Sequence, residues 1–64
     1  MTDYSFLLNT WRKSKDEVML YLLKQDNDHL YDTSQFFKVN LVTGEKRDMA
    51  VARLILGIQK IMGE

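Results

Sequence analysis

The 64-residue sequence contains no cysteine and no proline, and it has only three glycines and one histidine. Without cysteine it can form no disulfide and no cysteine-based zinc or iron–sulfur site, and a chain without disulfides suits the reducing cytoplasm. Three scattered glycines cannot build a phosphate-binding loop, and no run of apolar residues approaches the roughly 20 that span a membrane. We therefore expect a cytoplasmic protein with no cofactor, no metal ion and no membrane partner.

Neither sign of charge is in excess, because nine lysines and arginines balance nine aspartates and glutamates. Proteins that coat duplex DNA are usually basic overall, since neutralising phosphates supplies most of their affinity. Hydrophobic residues make up 45% of the chain, and a domain this small needs most of them for one core. The composition predicts a single domain over residues 1–64 and favours a protein over a nucleic acid as its partner.

A helix is predicted near the start of the chain. Four apolar residues recur at i, i+3, i+4 and i+7: Tyr4, Leu7, Leu8 and Trp11. This spacing places them on one face of a helix over residues 3–13. Ser14 and Glu17 then form the S-x-x-E pattern of a capping box, so a second helix is expected to start at Lys15. Its inward residues are expected to be Val18, Met19, Leu22 and Leu23. The alternative is one unbroken helix over residues 3–25.

The middle of the chain allows more than one interpretation. Residues 25–32 are rich in turn formers and show no periodicity, which predicts a loop. Residues 34–42 fit either a short helix that starts at Ser34 or the first strand of a hairpin, with Gly44 supplying a positive φ in the turn.

The last element has the widest apolar stripe in the sequence. Its members are Val51, Leu54, Ile55, Ile58, Ile61 and Met62. Asp48 can cap the start of this helix and Gly63 stands where a helix commonly ends, so we predict a helix over residues 49–62. Together the elements predict a mainly α protein, a small three- or four-helix bundle. The alternative is an α+β fold in which helices pack against a short hairpin at residues 35–48.

No arrangement of polar residues matches a catalytic or metal site. The single histidine, His29, lies in a polar segment, and no serine has the spacing of a nucleophile elbow. Asp16 and Glu17 are neighbours that point apart on a helix, so they cannot act as a pair of catalytic carboxylates. An EF-hand loop that started at Asp26 would lack its required glycine. We therefore expect no enzyme activity, no catalytic residue and no metal-binding residue.

Two basic clusters support a nucleic-acid hypothesis. The first basic cluster consists of Arg12, Lys13 and Lys15, and the second consists of Lys46 and Arg47. If the fold brought both clusters next to an exposed Trp11, they would form a positive patch with a stacking surface, as in binders of single-stranded or structured DNA or RNA. Because Trp11 continues the first apolar stripe, a position in the core is the competing interpretation.

The large apolar side chains exceed what one small core can hold. Phe6 lies off the stripe of the first helix, and Leu56 lies opposite Leu54 on the last one. Exposed apolar groups mark contacts with another chain. We therefore predict a non-enzymatic adaptor or regulator that binds a larger protein through an apolar helical surface, with Phe6, Phe37 and Leu56 as anchors. An apolar surface of this kind would also allow self-association. The alternative function is an accessory nucleic-acid-binding module that uses the two basic clusters and Trp11.

Overall fold

A computed structural model describes residues 3–64 as four α-helices that form a bundle of 31 × 22 × 20 Å. The helices are α1 (Phe6–Lys13), α2 (Lys15–Lys24), α3 (Asn27–Phe36) and α4 (Arg47–Ile61). None of the residues 3–64 lies in a strand. The predicted small, mainly α bundle is confirmed, and the alternative hairpin at residues 35–48 is wrong.

The predicted break between the first two helices is confirmed. Ser14 adopts an extended conformation, with φ −160° and ψ 113°, and its side chain accepts a hydrogen bond of 3.4 Å from the backbone N–H of Glu17. The backbone N–H of Ser14 donates to the carbonyl of Thr10, so only half of the capping box forms. α1 itself begins at Phe6, three residues later than predicted.

The prediction of a loop over residues 25–32 is wrong, because α3 starts inside it. The carboxylate of Asp26 caps this helix by accepting the backbone N–H of His29 at 2.8 Å. Two of the positions that α3 buries are Thr33 and Ser34, and their hydroxyls donate to the carbonyls of His29 and Tyr31. These internal hydrogen bonds let polar side chains occupy the buried face, so hydrophobic periodicity does not mark the helix.

Irregular chain connects α3 to α4. Ser34 lies within α3, so no separate helix starts there. After α3 ends at Phe36, Lys38 adopts the left-handed region at φ 57°, and the backbone N–H of Val39 donates to the carbonyl of Ser34 as in a Schellman motif. The turn expected around Gly44 is confirmed, because its φ is 79° and Glu45 N–H donates to the carbonyl of Val42.

α4 begins two residues before the predicted start. Its N-cap is Lys46, which makes no side-chain capping bond, and Asp48 lies in the first turn, where its charge favours the helix dipole. The prediction that the helix ends at Gly63 is confirmed: Gly63 has a φ of 79°, and the backbone N–H of Glu64 donates to the carbonyl of Gln59. This end turns the chain back toward the start of α2.

The core lies where α2 packs against α1 and α4, and α3 packs against α4. Its buried apolar members include Tyr4, Leu7, Trp11, Val18, Leu22, Leu30, Phe37, Val51, Leu54 and Ile58. Val18 and Leu22 point inward as predicted, whereas Met19 and Leu23 do not. Ile61, a member of the predicted α4 stripe, is also exposed.

Candidate interaction surfaces

The middle of α2 is apolar around its whole circumference. Residues 18–23 form a continuous apolar run, Val-Met-Leu-Tyr-Leu-Leu, yet only Val18 and Leu22 are buried. The other four side chains are 39–55% exposed: Met19, Leu20, Tyr21 and Leu23. A helix that is hydrophobic on every side is normally surrounded by protein. The bundle covers one side of α2 and leaves the remainder in water.

An apolar groove of about 510 Å³ lies between α2 and α4. The two helices run antiparallel, since Lys15 at the start of α2 contacts Glu64 after the end of α4, and Arg47 at the start of α4 contacts the carbonyl of Leu23. The groove is lined by Met19, Leu23, Asp48, Val51, Ala52, Ile55 and Leu56. Asp48 is the one charged residue among them. Its lining is more apolar than that of two other grooves, one beside the loop before α4 and one beside Gly57.

The three predicted anchors occupy different environments. Leu56 is 58% exposed and forms one rim of the groove. Phe6 is 43% exposed and packs edge-on against Tyr21 with a centroid separation of 5.4 Å, on the other flank of α2. Phe37 is only 7% exposed and belongs to the core. The premise that Phe37 is a surface residue is therefore wrong, because the end of α3 turns it inward.

Trp11 and the first basic cluster form a contact within the molecule. The Trp11 side chain is 4% exposed, and its indole N–H donates to a carboxylate oxygen of Glu64 at 2.7 Å. Lys15 binds the other oxygen of this carboxylate and lies 5.3 Å from the indole centroid. Hydrogen bonds from Lys15 and Trp11 lower the pKa of Glu64. Trp11 thus offers no stacking surface, and Lys15 is exposed but paired with Glu64, whereas Arg12 and Lys13 are exposed and do not contact this carboxylate.

The second basic cluster lies at the opposite end of α2. Arg47 donates to the carbonyls of Leu23 and Gln25 and, at 3.3 Å, to the side chain of Asn27. These bonds satisfy carbonyls at the end of α2, which have no partner within the helix. Ten residues of α2 separate the clusters, which is about 15 Å at 1.5 Å per residue. The fold therefore does not combine the two clusters into one patch.

The acidic segment around His29 acts as a helix cap. Asp26 accepts the backbone N–H of His29 and also contacts its ring nitrogen at 2.7 Å. Hydrogen bonding to His29 lowers the pKa of Asp26, and hydrogen bonding to Asp26 raises the pKa of His29. Among residues 3–64, no group of three or more histidine or acidic side chains is placed to hold a metal ion. No helix in this part of the chain is long and apolar enough to cross a membrane.

Sequence reasoning missed the exposed side of α2. It placed Met19 and Leu23 in the core and assigned no role to Leu20. A usable signal was present, because six consecutive apolar residues exceed the stripe that a helix can turn toward one core.

Comparisons with protein-family models, curated proteins and solved structures found no match to this chain.

Proposed function

We propose that the protein is a non-enzymatic regulator or adaptor, and that it binds an amphipathic helix of a larger protein in the groove between α2 and α4. The observation that carries this proposal is the apolar circumference of α2, with four large side chains exposed beside a groove lined almost entirely by apolar groups. Contiguous apolar surface of this kind marks binding sites in small proteins.

The shape of the groove favours a helix as its occupant. Segments that bind by strand addition need a free sheet edge, and none exists among residues 3–64. A trough between two antiparallel helices instead accepts the apolar face of a third helix, with anchors at i, i+3, i+4 and i+7. The length of α2, about 15 Å, matches nearly three turns of such a helix.

The binding energy is expected to come from a few side chains. Completing the burial of one large aliphatic side chain contributes up to about 1.5–3 kcal/mol. Leu56 and Leu23 stand on opposite rims and are 58% and 41% exposed, so both would lose much of their remaining contact with water. A few side chains commonly supply most of the binding energy of an interface.

Two steps test this function. A photo-crosslinking amino acid is placed at Met19 in the groove and, as control, at Tyr31, which is exposed on α3. A protein crosslinked from position 19 but not from position 31 is then purified, and its binding is measured by calorimetry. We expect Leu56→Ala to weaken binding at least tenfold.

The matched control for Leu56→Ala is Val42→Ala, because Val42 is equally exposed but lies in the loop before α4. Val42→Ala should leave the affinity unchanged. The proposal is wrong if positions 19 and 31 crosslink the same proteins, or if Leu56→Ala and Val42→Ala have equal effects on the purified complex.

A further inference from the structure

A row of three residues runs along the side of α2 that faces away from the core. Asp16, Leu20 and Lys24 are spaced at i, i+4 and i+8, so they lie one above the other on one face of the helix. All three are exposed, and the core-facing residues of α2 are Val18 and Leu22. In the part of the chain that the structure describes, neither Asp16 nor Lys24 forms an ion pair.

The charges of this row are complementary to those of a second copy of the row that runs in the opposite direction. We propose that α2 pairs with α2 of a second copy of this chain, antiparallel, about a two-fold axis at Leu20. Asp16 of each copy then lies opposite Lys24 of the other, and the two Leu20 side chains meet at the axis. A two-fold interface requires such reciprocity. A parallel pairing in register would instead place like charges opposite each other.

Two further features favour the antiparallel arrangement. Each positive helix N-terminus would lie near the negative C-terminus of the other helix. Met19, Tyr21 and Leu23, on either side of the row, are also exposed and would extend the apolar contact beyond Leu20. Rotation about the axis leaves α4 and its copy on the same side of the α2 pair, so both grooves would open on one side of the dimer.

This pairing is expected to be weak and reversible. It rests on one helix of ten residues, and interfaces below about 1,200 Å² are typical of transient complexes. We expect dimer formation between about 10 μM and about 1 mM protein, measured by sedimentation velocity and by NMR translational diffusion. Met19 and Leu23 belong to both surfaces, but Asp16, Leu20 and Lys24 do not line the groove, so substitutions in this row test the pairing separately from the proposed partner helix.

Charge reversal provides the decisive test. Asp16→Lys and Lys24→Glu each replace two attractive pairs with two repulsive ones, so each variant alone should dimerise about tenfold more weakly or worse. An equimolar mixture of the two variants should recover a heterodimer of wild-type strength, because both of its pairs are again attractive. A change in helix stability could not produce this recovery.

The controls separate self-association from folding. Asp32→Lys reverses an exposed charge on α3 and should leave dimerisation unchanged. Leu20→Glu, at an exposed position, should keep the fold, as judged by circular dichroism, and weaken dimerisation at least tenfold. A wild-type protein that stays monomeric over the whole range overturns the inference and leaves the groove proposal standing. A dimer that is insensitive to Leu20→Glu, or a mixture that does not recover, also overturns it.

Discussion

Leu54 and Leu56 provide a matched pair of substitutions that separates folding from binding. The two leucines are two positions apart in α4, but Leu54 is completely buried, whereas Leu56 is 58% exposed. Changing either to alanine alters the intrinsic helix propensity by the same small amount. Any difference between the two variants therefore reports on tertiary packing.

The expected magnitudes differ severalfold. Removing a fully buried leucine side chain costs about 3–5 kcal/mol, the sum of the lost transfer free energy and the cavity left behind. A single small core seldom supplies more than about 3–5 kcal/mol of net stability, so Leu54→Ala should be largely unfolded at 25 °C. For Leu56, less than half of the side chain is covered, and the cost should be about 1 kcal/mol or less.

Urea titration measures both free energies of unfolding. Trp11 is the sole tryptophan and its indole is buried, so its fluorescence reports on the tertiary structure while circular dichroism reports on the helices. Leu56→Ala should unfold cooperatively near the wild-type midpoint, and Leu54→Ala should show little or no folded baseline. Equal losses of stability, or a larger loss for Leu56→Ala, would refute the assignment of the inner and outer faces of α4.

Three further predictions follow from individual contacts. Because hydrogen bonds from Lys15 and Trp11 lower the pKa of Glu64 below its ordinary value of 4.5, these contacts should stabilise the fold above that pH and be lost as the pH falls through the lowered pKa. The indole N–H resonance should shift over that range, and Glu64→Gln should abolish the shift. At Gly57, an added Cβ would overlap the side chain of Val39. Overpacking costs about 1–3 kcal/mol, and alanine gains about 1 kcal/mol over glycine in helix propensity, so Gly57→Ala should destabilise the protein by up to about 2 kcal/mol. A variant that unfolds at a higher urea concentration than the wild type would contradict this. In an NMR titration with short single-stranded, duplex and branched DNA, we expect no salt-sensitive shifts shared by the two basic clusters, because they lie at opposite ends of α2. Shared shifts would instead favour the nucleic-acid alternative.

Local sequence patterns determined much of the helical framework. The end of α1 and the start of α2 follow from Ser14, whose side chain accepts a hydrogen bond from the backbone N–H of a residue only three positions away. The start of α3 depends on an equally local cap at Asp26, but no hydrophobic stripe accompanied it. Thr33 and Ser34 are buried there because their hydroxyls form hydrogen bonds inside the helix. A search for apolar periodicity does not detect polar residues that are buried in this way.

Only the tertiary structure determined which side chains are exposed and which of them lie together. Trp11 finds its hydrogen-bond acceptor 53 residues away in Glu64, which turns a candidate stacking residue into part of the core. Arg47 is separated by more than 20 residues from the carbonyls of Leu23 and Gln25 that it binds at the end of α2, and this contact holds the second basic cluster away from the first, at the other end of the helix. The apolar run of α2 is visible in the sequence, but periodicity alone could not say which of its sides would be covered. That depends on where α1 and α4 pack, because only packing against other helices removes one side of a helix from water.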